Sequence, residues 1–126
     1  MKPFLLAPLL MLAAPAAVEQ DSSFADPTHF SARTGDEVYR GICQGCHMPD
    51  GEGAAGAGYY PPLAENPNLE AAGYPIYLII HGQKAMPPFG EVLDDGQIAA
   101  VVDYIRTHFG NNYTDPVTLD DVTSSR

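Results

Sequence analysis

The sequence predicts an all-α domain in which helices are joined by long ordered loops. Two segments each begin with a capping pair and continue with apolar residues at helical spacing, and a third short apolar segment lies between them. No pair of alternating segments joined by turn residues is visible, which argues against an extended sheet. A chain of 126 residues with 45% hydrophobic residues is long enough to build one core of this kind.

The first residues have the pattern of a secretory signal peptide. Lys2 precedes an apolar run, and small residues follow that run as far as Ala17. The run is shorter than the roughly 20 residues that a membrane-spanning helix needs, and Pro8 and Pro15 interrupt it. We therefore expect residues 1–17 to be removed, the mature protein to be periplasmic, and no stable membrane span to remain.

The first helix is expected after a flexible leader arm. Residues 18–33 mix Asp, Ser, Pro and Thr without apolar periodicity, which is typical of a loosely ordered arm. Thr34 stands at capping-box spacing from Glu37, so the domain should begin there and its first helix should run into Cys43. The face of this helix at helical spacing comprises Gly35, Val38, Tyr39 and Ile42.

Two further helices are predicted. The middle one covers residues 74–80, with Pro75 near its start and Gly82 stopping it. The last one is opened by Asp94, with Gln97 three residues later. Its apolar face comprises Ile98, Val101, Val102, Ile105 and Phe109.

The boundaries of the domain follow from these helices. Gly110 is expected to cap the last helix, so we place the domain at residues 34–110. Residues 111–126 are polar and rich in Asp, and we expect them to form a loosely held acidic tail. The long Gly- and Pro-rich loop of residues 50–68 needs something to fold around, since such loops are uncommon in compact domains.

The acidic charge narrows the class of partner. The formal net charge is −10 at pH 7, whereas recognition of phosphates needs clustered Lys and Arg. Nucleic-acid binding is therefore not expected. A protein partner should be basic at its docking face.

Both cysteines of the chain fall in the run Cys43-Gln44-Gly45-Cys46-His47. This spacing is that of covalent haem attachment, because each thiol can add to one vinyl group and the next imidazole can reach the iron. A thioredoxin-like pair would lie beside a βαβ pattern, and a zinc site would need four ligands. The sequence therefore predicts one haem c held by Cys43 and Cys46, with His47 as an axial ligand.

The second axial ligand has to come from a distant segment. Of the four methionines, two lie in the expected signal peptide, and Met48 is adjacent to His47. Met86 remains, and the two prolines after it limit the freedom of its loop. His81, on the same segment, is the alternative ligand.

With these motifs, the chain from about Gly35 to Gly110 resembles a class I cytochrome c domain. The resemblance implies helices wrapped around one covalent haem, with the first and last helices crossing closely. The crossing residues would be Gly35, Tyr39 and Tyr104. The resemblance also implies a haem-pocket proline, Pro61 or Pro62 before Leu63, whose carbonyl holds the ring of His47.

The region from residue 74 through the Met86 loop, together with the tail, is similar to the small cytochrome subunits that accompany periplasmic dehydrogenases. With both axial positions filled, the chain should be an electron-transfer protein and not an enzyme. It would accept single electrons from a periplasmic dehydrogenase and pass them to a downstream cytochrome or oxidase of the respiratory chain. The alternatives are a fixed subunit of a dehydrogenase complex, or a haem enzyme or gas sensor with a dissociable ligand.

Two other features have a more ordinary interpretation. The run from Gly51 to Gly56 fits G-x-G-x-x-G, but it follows the attachment motif instead of a strand, so we interpret it as a loop passing close to the porphyrin. The cations Arg40, Lys84 and Arg106 are expected on the surface, with contact to a haem propionate as the alternative.

Overall fold

A computed structural model of the protein describes residues 30–126, which form a mainly helical domain. The expected signal peptide, residues 1–17, and residues 18–29 of the expected leader arm lie outside the described residues. The described α-helices are α1 (Gly35–Val38), α2 (Gln44–His47), α3 (Gly73–His81), α4 (Asp95–Thr107) and α5 (Leu119–Thr123). The prediction of a helical domain is confirmed.

The Gly-rich loop contains a short antiparallel pair that was not predicted. The strands are β1 (Ala54–Ala55) and β2 (Tyr59–Tyr60), and Ala54 lies opposite Tyr60. Strands of two residues are too short to show the alternation by which a strand is recognised in a sequence.

α1 and α2 are parts of one continuous helix. The predicted capping box is present, since the amide of Glu37 donates to the Thr34 hydroxyl (3.2 Å) and the Thr34 amide donates to the Glu37 carboxylate (3.0 Å). A π-helical turn over Tyr39–Cys43 joins the two helices, and the Gln44 amide donates to the Tyr39 carbonyl. π turns are rare and often lie at functional sites.

α1 crosses α4 at Gly35. A Cβ at this position would collide with the carbonyl oxygen of Ala100 and lie 2.6 Å from the Cβ of Tyr104. The Tyr39 ring packs at a tilt against that of Tyr104, with centroids 5.5 Å apart. The helix crossing implied by the resemblance is therefore confirmed, and it depends on the missing side chain of Gly35.

α4 begins as predicted. The Gln97 amide donates to the Asp94 carboxylate (2.8 Å), and the Asp94 amide donates to the Gln97 side-chain oxygen (2.9 Å). The predicted apolar positions inside the helix are buried, namely Ile98, Val101, Val102 and Ile105.

The predicted end of α4 is wrong by two residues. The helix ends at Thr107, because His108 is extended (φ −118°, ψ 178°) and its ring Nδ1 lies 2.9 Å from the Tyr104 carbonyl oxygen, which the His108 amide would bind in a continued helix. Phe109 has a φ of 57° and lies outside the helix. Its ring packs against that of Tyr39, with centroids 4.9 Å apart.

The described part of the expected leader arm, residues 30–33, is held against α4. The buried side-chain amide of Gln97 donates to the carbonyls of Phe30 (2.6 Å) and Ala32 (2.7 Å). A Cβ at Gly41 would collide with the ring of Phe30. This short stretch is therefore packed and not a free arm.

The expectation of a loosely held tail is wrong. Residues 111–126 include α5 and the buried side chains of Val117 and Val122. Arg126 forms an ion pair with Asp95 near the start of α4, at 2.6 Å. The composition of the tail is polar, but Val117 and Val122 belong to the core and Tyr113 packs against it, whereas Leu119 is exposed.

The expected surface role of Arg106 is also wrong. Its side chain is 0% exposed, and its Nε donates to the Leu69 carbonyl (2.9 Å). Its Nη2 donates to the Asp115 carboxylate (2.8 Å) and to the Glu70 carbonyl (2.9 Å). Arg40 is exposed and pairs with Asp36.

None of the helices within residues 30–126 is both long enough and apolar enough to span a membrane.

Candidate haem-binding site

The two cysteines lie where the π turn meets α2. Both are free thiols, with Cys43 partly buried against the core and Cys46 exposed. Burial raises the pKa of Cys43 to about 12. A thioredoxin-like pair needs a thiol whose pKa is lowered, so this environment argues against that alternative.

His47 is the last residue of α2, and its ring is held by one backbone carbonyl. The Nδ1 atom of His47 lies 2.9 Å from the carbonyl oxygen of Pro61. Because a carbonyl oxygen can only accept, Nδ1 carries the proton and Nε2 keeps its lone pair. The resemblance allowed either Pro61 or Pro62 to make this contact, and in the structure Pro61 makes it.

The carbonyls that follow Pro61 also have side-chain partners. Asn66 Nδ2 donates to the Pro62 carbonyl (2.7 Å), and Asn111 Nδ2 donates to the Leu63 carbonyl (2.8 Å). Neither asparagine was predicted as a site residue. The available signal was the Pro-Pro pair itself, since such a run has carbonyls to satisfy but few amides of its own.

The Gly-rich loop packs on itself beside His47. Gly53 has a φ of 63°, its amide donates to the His47 carbonyl (3.0 Å), and a Cβ there would collide with the carbonyl oxygen of Tyr60. Gly51, with a φ of 72°, would place a Cβ 2.8 Å from the ring of Phe109. These glycines are required by the loop's own folding. They follow a helix and lead into β1, which is not the setting of a dinucleotide-binding loop.

Met86 lies in a tight turn after α3. Its amide donates to the Gln83 carbonyl (2.9 Å), and the Gln83 amide donates to the Met86 carbonyl (3.0 Å). Lys84 turns the chain with a φ of 52°, and a Cβ at Gly82 would lie 2.7 Å from the Met86 carbonyl oxygen. The Met86 side chain is partly buried against the core. The turn therefore fixes the backbone that carries this thioether.

The alternative ligand His81 makes a different contact. Its Nε2 lies 2.8 Å from the Ser125 carbonyl oxygen, so this nitrogen carries a proton. Its ring packs at a tilt against that of Tyr77, with centroids 4.5 Å apart. Nε2 therefore has no lone pair to offer to a metal, and the ring could bind one only through Nδ1.

A family model described as "Cytochrome C oxidase, cbb3-type, subunit III" matches residues 30–105. The chain belongs to this cytochrome c family. Haem c is the covalent cofactor of such domains, and the residues of the chain fit it. Cys43 and Cys46 supply two thiols at the right spacing, and His47 has its Nε2 free.

Named relatives are similar to this cytochrome c domain over a limited length. The chain is 37% identical over 105 residues to the cytochrome c subunit of an alcohol dehydrogenase (quinone) from Gluconacetobacter polyoxogenes, covering 73% of this chain and 22% of the relative. It is 35% identical over 92 residues to the fructose dehydrogenase cytochrome subunit of Gluconobacter japonicus, covering 61% of this chain and 19% of the relative. It is 33% identical over 110 residues to the gluconate 2-dehydrogenase cytochrome c subunit of Pantoea cypripedii, covering 75% and 24%. The chain thus spans about a fifth to a quarter of the length of these relatives.

Proposed function

We propose that the chain is a periplasmic single-electron carrier in which Cys43 and Cys46 hold haem c and His47 and Met86 are the axial ligands of its iron. The bound haem supplies a one-electron iron couple. The observation that carries the proposal is the contact between His47 Nδ1 and the Pro61 carbonyl, directly beside the two free thiols.

The Pro61 carbonyl acts on His47 in two ways. It fixes the tautomer in which Nε2 has the lone pair, and it fixes the direction of the ring. The carbonyl also draws the Nδ1 proton partly toward itself, which makes the imidazole a stronger donor to a metal through Nε2. A ligand that is oriented before it binds loses little conformational entropy on binding.

Met86 is the second ligand on this proposal because its loop limits its motion. The paired backbone bonds between Gln83 and Met86, and the two prolines that follow, hold the residue in one place. A thioether is a soft ligand that favours the reduced iron. The alternative ligand His81 is less suitable because its Nε2 is held by the Ser125 carbonyl, which leaves only Nδ1 for a metal.

The proposed donor is a periplasmic dehydrogenase, and the proposed acceptor is a downstream cytochrome or oxidase. Support comes from the printed names of the relatives, which are cytochrome subunits of dehydrogenases. The net charge of −10 fits a basic docking face on the partner.

Those same names favour a second candidate, a fixed cytochrome subunit of a dehydrogenase complex. The two candidates differ in whether the chain copurifies with its donor in a fixed ratio. A gas sensor or haem enzyme is the third class, and it would need an axial ligand that leaves.

Exposure of the purified holoprotein to carbon monoxide and cyanide at neutral pH tests the proposal. An electron carrier with two protein ligands should show no spectral change with either reagent. Rapid binding of carbon monoxide to the reduced protein would favour the sensor or enzyme class instead.

A further inference from the structure

Three consecutive backbone carbonyls, those of residues 61–63, each accept a hydrogen bond from a side-chain nitrogen. The donors are His47 Nδ1 at 2.9 Å, Asn66 Nδ2 at 2.7 Å and Asn111 Nδ2 at 2.8 Å. The three donors come from three separate parts of the chain. The formation of the helices does not require this set. Hydrogen bonds from side chains to backbone carbonyls are a minority of protein hydrogen bonds.

We propose that Asn66 and Asn111 are positioning residues for His47, which aim the Pro61 carbonyl at the ring and so set the strength of the imidazole as a ligand. The inference rests on the proposed function, because it takes His47 as an iron ligand. Neither asparagine is proposed to touch the cofactor.

The peptide between Pro61 and Pro62 has no N–H, so its carbonyl oxygen is the one polar group by which it can be held. That oxygen points at His47. Its direction is therefore set from both sides: Tyr60 is held in β2 opposite Ala54, and the peptides on the C-terminal side are fixed by hydrogen bonds from side chains.

Both of the following peptides are fixed at both of their polar groups. In the peptide after Pro62, the carbonyl accepts from Asn66 and the Leu63 amide donates to the Gly51 carbonyl (2.7 Å). In the peptide after Leu63, the carbonyl accepts from Asn111 and the Ala64 amide donates to the same Gly51 carbonyl (3.0 Å). Neither peptide plane can rotate without breaking a bond.

Asn111 ties this segment to the end of α4. Its side chain is buried, and its Nδ2 also donates to the Ile105 carbonyl (2.8 Å). Its Oδ1 accepts from the amide of Asn66 (2.9 Å), so the two asparagines are linked directly. Asn111 lies beyond residues 30–105, the part of the chain matched by the family model. The hydrogen bonds that fix residues 61–63 beside His47 therefore include a donor from outside the matched region.

Asn66→Asp is the sharpest test, because it keeps one function of the side chain and removes the other. An aspartate retains the oxygen that accepts from the Asn68 amide (2.9 Å), and it loses the Nδ2 donor to Pro62. Asn68→Asp is the matched control, since Asn68 is exposed in the same turn and gains the same charge. Asn111→Ala, with exposed Asn112→Ala as its control, tests the second donor.

The readouts are the midpoint potential and the exchange of the His47 Nδ1 proton with deuterium, followed by NMR in the holoprotein. We expect Asn66→Asp to speed this exchange about five- to tenfold relative to Asn68→Asp, the factor that corresponds to loss of one hydrogen bond. The potential should rise relative to that control, since a less basic imidazole stabilises the oxidised iron less. A purely structural role would lower the unfolding temperature and leave both readouts unchanged.

The outcomes separate this inference from the proposed function. If the wild-type holoprotein shows no His47 ring resonances shifted by the iron, the proposed function fails and the inference fails with it. If those resonances are present and Asn66→Asp matches Asn68→Asp in exchange and potential, only the inference is overturned. If Asn111→Ala fails to fold, the comparison of Asn66→Asp with Asn68→Asp still tests the inference.

Discussion

The guanidinium of Arg106 is fully buried, yet its Nη2 lies 2.8 Å from a carboxylate oxygen of Asp115 that is largely open to solvent. The same side chain donates to the carbonyls of Leu69 and Glu70. One buried cation thus joins α4, the segment before α3 and the C-terminal residues. Removing it should leave the Leu69 carbonyl and the partly buried carbonyls of Glu70 and Asp115 without this donor.

We therefore expect Arg106→Met to lower the free energy of unfolding by about 3 kcal/mol, because buried acceptors lose their donors while the volume is kept. Guanidinium chloride unfolding followed by circular dichroism measures it. Arg40→Met is the control, because Arg40 is exposed and its ion pair, with Asp36 one helical turn away, is a surface pair. Equal effects of the two substitutions would show that the buried network contributes no more than a surface pair.

The contact with Arg106 also predicts a pH dependence. The hydrogen bond from Arg106 holds the pKa of Asp115 below its usual value. A carboxyl whose folded pKa is lowered adds stability above its unfolded value of about 3.9, and this stability is lost as pH falls through the folded value. Asp115→Asn should therefore be less stable than the wild type at pH 7, and the difference should shrink below about pH 4. Denaturant unfolding at pH 7 and pH 3 tests this, with exposed Asp120→Asn as the control.

Gly35→Ala should weaken the crossing of α1 and α4. A methyl group there would collide with the Ala100 carbonyl, so the helices must move apart, at a cost of about 1–3 kcal/mol. Gly73→Ala is the matched control, because a Cβ at that helical position meets nothing within 4 Å. The control should be neutral or stabilising by up to about 1 kcal/mol, since alanine favours helix. Thermal unfolding of both variants decides, and a stabilised Gly35→Ala protein would contradict the crossing.

Replacing both Cys43 and Cys46 with Ala should abolish covalent haem and leave the chain largely unfolded. The loops around the site then lose the group about which they are proposed to pack. Haem staining after denaturing electrophoresis and far-ultraviolet circular dichroism measure the two effects. A well-folded double variant without haem would refute the second expectation.

Met86→Ala should remove the sulfur-to-iron absorption band, lower the midpoint potential and allow cyanide to bind. His81→Ala is the comparison, and all three properties should stay near their wild-type values, because His81 binds the Ser125 carbonyl. Visible spectroscopy and potentiometric titration measure them. Loss of the band in the His81 variant would reverse the axial assignment.

The features that the sequence predicted well, such as the helix starts, depend on residues that lie close together in the chain. The capping pairs Thr34/Glu37 and Asp94/Gln97 act within four residues, so their pattern is visible in the sequence. The contact of His47 with Pro61 spans 14 residues, and it was the resemblance to class I cytochromes c that narrowed it to two prolines.

What the sequence did not predict depends on partners far away in the chain. Asn111 binds the Leu63 carbonyl across 48 residues, and the partner of Arg106 at Leu69 is 37 residues away. A polar residue in a polar stretch gives no sign of such a partner, which is why the tail was expected to be loose. The axial pair His47 and Met86 stays a prediction until the holoprotein is measured.

The π turn over Tyr39–Cys43 has a consequence for how this chain tolerates insertions and deletions. Each residue of an α-helix turns the chain by about 100°, and a π turn holds one residue more than an α turn. The turn therefore takes up one surplus residue, while the face that packs on α4 and the face that carries Cys46 and His47 keep the relative direction of a regular helix. Deleting exposed Arg40 would let the turn relax to an α turn, and because both kinds of turn complete one revolution, the residues after it would keep their direction relative to Gly35. A deletion of one residue at this point is therefore expected to keep the helix pair and the attachment motif in register, whereas the same deletion inside a regular turn of α4 would rotate everything after it by about 100°.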